Sequence, residues 1–168
     1  SPMLPYVFLP QLNKLEFAAF QEKVRKFSGF YIQKRTLRDY QVDYGANIFG
    51  YITQVNENTI KKNPYYNSGD LIGMQGIEQS YEEIAKQGKD ITLSIDAELQ
   101  KYGEELMANK WGGIVAIEPA TGEILALVSA PSYDPALLVG RQRSKNYSLI
   151  TKDVVAKPMY DRGLLAEY

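Results

Sequence analysis

The stretch from Gly112 to Pro135, GGIVAIEPATGEILALVSAPSYDP, restricts what this chain can fold into more than any other. Ile114 to Ile117 and Ile124 to Val128 are β-rich apolar runs, joined by Glu118-Pro119-Ala120-Thr121-Gly122-Glu123. Proline early and glycine late in that connection suit a type I turn closed by a left-handed glycine. Both strands are apolar almost throughout, so both faces require cover. A two-stranded hairpin cannot cover itself. The cover is therefore expected from parts of the fold that lie outside this chain.

The other elements follow from periodicity and capping chemistry. Asn13 sits at an N-cap position with Glu16 three residues on, the capping-box spacing, so a helix is predicted from Lys14 to Phe27. Phe17, Phe20, Val24 and Phe27 trace one face of it and read as core. Phe30 to Ile32 reads as a short strand, Gly45 to Val55 as a turn and an extended segment, and Ile77 to Lys86 as a second helix. Ile91 to Ile95 alternates like a strand. Asp96 then caps a helix reaching Asn109, with Leu99, Tyr102, Leu106 and Met107 on its buried side. Gly140 to Asp153 is polar and loop-like.

Composition narrows the chemistry. The 168 residues carry 19 basic and 20 acidic side chains and no basic block, which speaks against nucleic acid as a partner. There is no histidine and no cysteine, so Ser-His and Cys-His catalysis and thiolate metal sites are excluded. No metal site or cofactor is expected. No apolar stretch is long enough to span a bilayer, and Ser1-Pro2-Met3 does not open a signal peptide. The 13 tyrosines suit either half-buried sheet positions or a face that binds sugar or peptide.

Three segments, taken in order, resemble the class B penicillin-binding proteins, most closely the elongation-specific branch. Arg35-Thr36-Leu37-Arg38-Asp39-Tyr40 with Ala46 and Ile48-Phe49-Gly50-Tyr51-Ile52 is similar to the family's R-x-Y…A…GY(I/V) pedestal motif. Gly69-Asp70-Leu71-Ile72-Gly73-Met74-Gln75-Gly76-Ile77-Glu78, with Tyr81-Glu82, is similar to its GD-x-(I/V)G-x-xG-(I/L/V)E-x-x-YE motif. The third segment runs from Thr92-Leu93-Ser94-Ile95-Asp96 through the hairpin to Asp134-Pro135.

The resemblance implies an α+β chain. Residues 1–90 would be part of an irregular pedestal, or dimerisation, domain, and residues 91–168 the first helix and β-hairpin of a truncated transpeptidase domain. Arg38, Tyr40, Gly50, Tyr51, Gly73, Gly76 and Glu78 are the pedestal motif positions. Arginine suits a fixed pairing with a carboxylate, so Arg38 or Arg35 is expected to tie the strand region to the helix that begins at Glu78. Gly73 and Gly76 are expected to sit in backbone conformations, or at close approaches, closed to other residues.

The chain departs from the family at two places. Glu83 is followed almost at once by Gln87-Gly88-Lys89-Asp90, where the family carries a further stretch. The family also continues past a segment like Asp161-Arg162-Gly163-Leu164-Leu165-Ala166-Glu167-Tyr168 into its Ser-x-x-Lys nucleophile motif. Here none of Ser28, Ser68, Ser80, Ser94, Ser129, Ser132, Ser144 or Ser148 has lysine three residues on, and there is no Lys-Thr-Gly. Ser144-Lys145-Asn146 matches Ser-x-Asn in form but precedes the nucleophile's place.

No catalytic residue is therefore assigned, and the chain is expected not to be an enzyme, although its parent would be a peptidoglycan D,D-transpeptidase. Implied partners are envelope scaffold and elongation-machinery proteins, a possible second copy, and peptidoglycan precursors through the catalytic part. The implied location is the outer face of the bacterial cytoplasmic membrane, with an N-terminal anchor in the parent. Two other readings stand beside this one. A binding module would use an exposed cluster among Tyr40, Tyr44, Tyr51, Tyr65 and Tyr66; a carboxylate hydrolase would use Glu82/Glu83 or Glu104/Glu105. Adjacent residues on a helix point about 100° apart, which disfavours the last.

Overall fold

The computed structural model describes residues 8, 9, 11–32, 34, 37–67 and 69–166. Helix α1 spans Lys14–Val24 and starts with the anticipated capping box. Asn13 Oδ1 accepts from the backbone N–H groups of Leu15 and Glu16, and the Glu16 carboxylate accepts from the Asn13 N–H at 3.0 Å. The helix stops short of Phe27, and its aromatic stripe is not core: Phe17, Phe20 and Val24 are half-buried and Phe27 is exposed. Its first turn is tied to the later elements through Arg141, which pairs with Glu16 and donates to the Gln11 carbonyl at 2.8 Å. Phe30 to Ile32, read as a strand, has no ladder partner; Phe30 instead meets the edges of Phe27 and Phe8.

Next comes a small layer of short elements: α2 (Ala46–Phe49), β1 (Ile52–Gln54), α3 (Glu57–Lys62), β2 (Leu71–Gly73), α4 (Gly76–Ser80) and α5 (Glu82–Lys86). Strands β1 and β2 pair antiparallel, Ile52 opposite Gly73. Ile48 and Phe49, expected to be extended, make one helical turn between Gly45 and Gly50, both at positive φ. The single helix expected over Ile77 to Lys86 is two, broken where Tyr81 leaves helical geometry at φ −113° and ψ 23°.

Asp96 caps α6 (Ala97–Leu106) by accepting from the Glu98 and Leu99 N–H groups. Strands β3 (Gly112–Ile117) and β4 (Ile124–Ala130) form the anticipated antiparallel hairpin, with Gly122 left-handed at φ +79° and donating to the Glu118 carbonyl at 2.8 Å. Ile91 to Ile95 forms no strand. That segment passes beside the start of β4 with two isolated hydrogen bonds, Ser94 Oγ to the Ile124 carbonyl and Asp96 N–H to the Leu125 carbonyl. After a 3-10 turn at Pro135–Leu138, the stretch read as a loop forms α7 (Arg143–Lys152). Asp161 then caps α8 (Arg162–Leu165).

Strand β4 is buried from Ala126 to Ala130, and its cover comes from α6 and α8 of this same chain rather than from outside it, as the apolar pattern had suggested. Strand β3 alternates instead, and Val115 and Ile117 stay exposed, so full cover on both faces holds for β4 alone.

Helix α6 also presents an unexpected side to the sheet. Gln100 and Gly103 are its buried residues; Leu99, Tyr102 and Leu106 are exposed and Met107 is half-buried. Helix and strand approach so closely that a Cβ on Gly103 would lie 2.7 Å from Val128 Cγ2. The hydrophobic centre joins early and late parts of the chain: buried Ala46, Tyr133 and Leu138 pack with Tyr51, Tyr147, Ile150 and Met159.

Candidate functional site

Six of the seven pedestal-motif residues converge on α4 and the loop before it; the Tyr51 side chain does not. Arg38 Nη2 donates to Glu78 Oε2 at 2.9 Å, and the Tyr40 hydroxyl donates to Glu78 Oε1 at 3.3 Å. Arg35, the alternative partner for Glu78, lies outside the described residues. Burial, together with the neighbouring Glu78 carboxylate, pushes the Tyr40 phenol well above its ordinary range. Tyr40 also packs on Phe49, ring centroids 5.9 Å apart, which fixes α2 against the same corner.

Glycine is needed here because two main chains touch. A Cβ on Gly50 would lie 1.8 Å from the Gln75 carbonyl oxygen, and one on Gly76 2.3 Å from that of Ile48. Gly50 and Gly76 are also left-handed. A Cβ on Gly73 would sit 1.9 Å from the Glu78 carbonyl oxygen, so β2 and α4 can be this close only with hydrogen at that position. The Gly73 N–H is held from the other side by Glu82 Oε2 at 2.7 Å.

Tyr51 belongs to a second cluster, at the junction with the later elements. Its ring lies 5.5 Å from that of Tyr147, with the Arg143 guanidinium 5.9 Å from one ring and 5.7 Å from the other. Arg143 Nε also donates to the Ile52 carbonyl at 2.9 Å. Burial, then the hydrogen bond with Tyr147, pushes the Tyr51 phenol up to about 12. Tyr133, packed into the same core, is raised further, chiefly by burial.

Two more ties cross the junction. The Gly45 N–H donates to Glu104 Oε1 at 2.7 Å, and Gln75 Nε2 donates to the Met159 carbonyl at 3.1 Å. Glu104 also accepts from Gln100 Nε2 at 2.9 Å.

Sequence reasoning missed Gln75, Gln100, Glu104 and Arg143. The one signal for Gln100 was Gly103, three residues on, which marks the tight side of α6. Neither rival reading gains support. Tyr40, Tyr44 and Tyr51 are half-buried and Tyr66 is buried, leaving Tyr65 as the exposed one of the five. Glu82 and Glu104 are occupied with backbone N–H groups, and their neighbours Glu83 and Glu105 face solvent. Among the described residues no group of acidic side chains is gathered to hold a metal ion.

Residues 1–108 match the family model of the penicillin-binding protein dimerisation domain. The chain belongs to this family. It is similar to the peptidoglycan D,D-transpeptidase MrdA of Acinetobacter baumannii, with 33% identity over 94% of this chain and 28% of that protein. The same-named protein of Escherichia coli is 30% identical over 84% of the chain and 28% of its own length.

Among solved structures, Pseudomonas aeruginosa PBP2 in complex with WCK 5153 superposes with a TM-score of 0.66 and 38% identity, over 76% of this chain and 31% of that one. Helicobacter pylori PBP2 in complex with MreC has the same fold, with a TM-score of 0.76 at 19% identity, over 89% of this chain and 33% of that one. The fold is thus α+β, like that of the matched region of these PBP2 structures. The chain spans under a third of the length of the curated relatives named here.

Proposed function

We propose that this chain is the non-catalytic carrier of a PBP2-type peptidoglycan D,D-transpeptidase: it holds the catalytic domain at a set orientation and offers the pedestal to envelope partners. The observation that carries this reading is the shared junction. Ala46 and Tyr51 of the pedestal elements pack with Tyr133, Leu138 and Tyr147 of the later ones. Three polar ties, Gly45 to Glu104, Gln75 to Met159 and Arg143 to Ile52, cross the same boundary. A pedestal bound this way transmits its own orientation to whatever continues the β3–β4 sheet.

In this reading Arg38, Tyr40 and Glu78 stiffen the pedestal, and Gly50, Gly73 and Gly76 let its backbones touch. A scaffold of the MreC kind is the partner, and the outer face of the cytoplasmic membrane the location. Among the described residues no helix is long and apolar enough to cross that membrane.

The test pairs two measurements on the purified chain: biolayer interferometry against the soluble domain of an MreC-type scaffold, and labelling with a fluorescent penicillin. Saturable binding with no covalent label is the expected result. Acylation would overturn the non-catalytic assignment, and no binding at tens of micromolar scaffold would remove the partner role.

A further inference from the structure

Charge is divided unevenly along the chain. Residues 1–38 hold seven of the 19 basic side chains and two of the 20 acidic ones, leaving 12 basic against 18 acidic in the remainder. Four of the seven flank an exposed aromatic surface. Lys23, Arg25 and Lys26 at the end of α1 are exposed, as is Lys34. Between them, Phe27 and Phe30 meet edge to face, and Phe8 packs on Phe30 in the same way. All three rings remain about half exposed or more, Tyr31 is 92% exposed, and Ile32 and Leu37 are exposed as well. The opposite end of α1 is the one fastened to the body, by Arg141 on Glu16 and Gln11.

We propose that this aromatic and basic end of α1 is a peripheral contact for an anionic phospholipid surface. Rings with apolar bodies settle at the boundary between headgroups and acyl chains. Basic side chains next to them are drawn to an anionic leaflet. A protein partner would need a complementary acidic surface and pockets for three clustered rings, whereas a bilayer supplies charge and apolar depth together. The strongly acidic remainder of the chain turns the same field against lying flat, so it selects this end for contact. The contact is distinct from a membrane-spanning anchor and stands without the pedestal reading: vesicles report on lipid and the scaffold assay on partners, so either can fail alone.

The experiment is co-sedimentation of the whole chain with phosphatidylcholine vesicles and with a two-to-one mixture of phosphatidylcholine and phosphatidylglycerol, at low and high salt. The wild-type chain is expected to pellet with the mixed vesicles at low salt, to release at high salt, and to ignore phosphatidylcholine alone. Each basic residue neutralised among Lys23→Gln, Arg25→Gln and Lys26→Gln weakens partitioning about fivefold, the equivalent of ~1 kcal/mol. The pair Phe27→Ser and Phe30→Ser weakens it about tenfold or more, with circular dichroism unchanged.

Several outcomes overturn the proposal. Absence of wild-type binding to mixed vesicles at low salt does so, as does equal binding to both vesicle types. Full retention by the phenylalanine pair would mean a charge-only patch for any polyanion. A change in the sedimentation of the vesicle-free chain would mean that the rings join two copies.

Discussion

Gln100→Leu gives the sharpest test of how the hairpin is held. Gln100 is 1% exposed, and its side-chain amide takes both free main-chain groups of Leu127 on β4. Oε1 accepts from the Leu127 N–H at 2.8 Å, and Nε2 donates to the Leu127 carbonyl at 3.0 Å while also reaching Glu104. The glutamine thus stands in for one residue of a neighbouring strand along the edge of β4. Leucine fills similar space but bonds nothing. Two buried backbone groups left without partners cost about 1–3 kcal/mol each, and the added apolar burial returns about 1 kcal/mol. The expected net loss is about 3 kcal/mol, which for a chain of this size is a fall of roughly 6–12 °C in Tm.

Urea unfolding followed by circular dichroism reads the effect as a lower midpoint at unchanged slope. Leu99→Gln, one position away and 38% exposed, is the control and should stay within about 0.5 kcal/mol of wild type. If Gln100→Leu stays within that margin and Leu99→Gln falls, the assignment of the buried side of α6 is wrong.

Gly73→Ala should be far more damaging than a surface change, because the new Cβ meets the backbone of Glu78 at 1.9 Å and main chain must move; loss of soluble folded protein on expression is the expected result. Arg38→Ala should cost about 0.5–1 kcal/mol, since Arg38 is substantially exposed, and the difference should shrink in 1 M salt; no loss of thermal stability at low salt would end the pairing argument. On the alkaline side, the folded Tyr51 phenol, at about 12, keeps its proton after the unfolded one has lost it near pH ~10. Its stabilising contribution is complete below pH ~10 and falls as pH rises toward 12. Tyr51→Phe should flatten that fall in the urea midpoint against pH, and an unchanged slope would refute the assignment.

What could be read from residues alone was chemistry that acts over a few positions. The Asn13–Glu16 box, the Asp96 cap and the Gly122 turn all form as their spacing requires, because each is closed by its own neighbours. A pairing of Glu78 with Arg38 or Arg35 was also legible, though only through a family motif, and Arg38, 40 residues away, makes it. Hydropathy failed where a polar side chain spends its head on a main-chain atom. Gln100, Gln75 and Arg143 each bond a backbone group far along the chain, and backbone groups leave no trace in residue type. Counting apolar positions therefore turned α6 to Leu99, and polarity alone turned α7 into a loop. The same substitution of polar for apolar contact has a consequence for the junction. Apolar surfaces tolerate sliding, whereas hydrogen bonds to carbonyls and N–H groups lose most of their strength with a small change of distance or angle. A boundary with a small core of Ala46, Tyr133 and Leu138, ringed by such bonds, therefore resists sliding of the later elements over the earlier ones more than an apolar contact of the same size would.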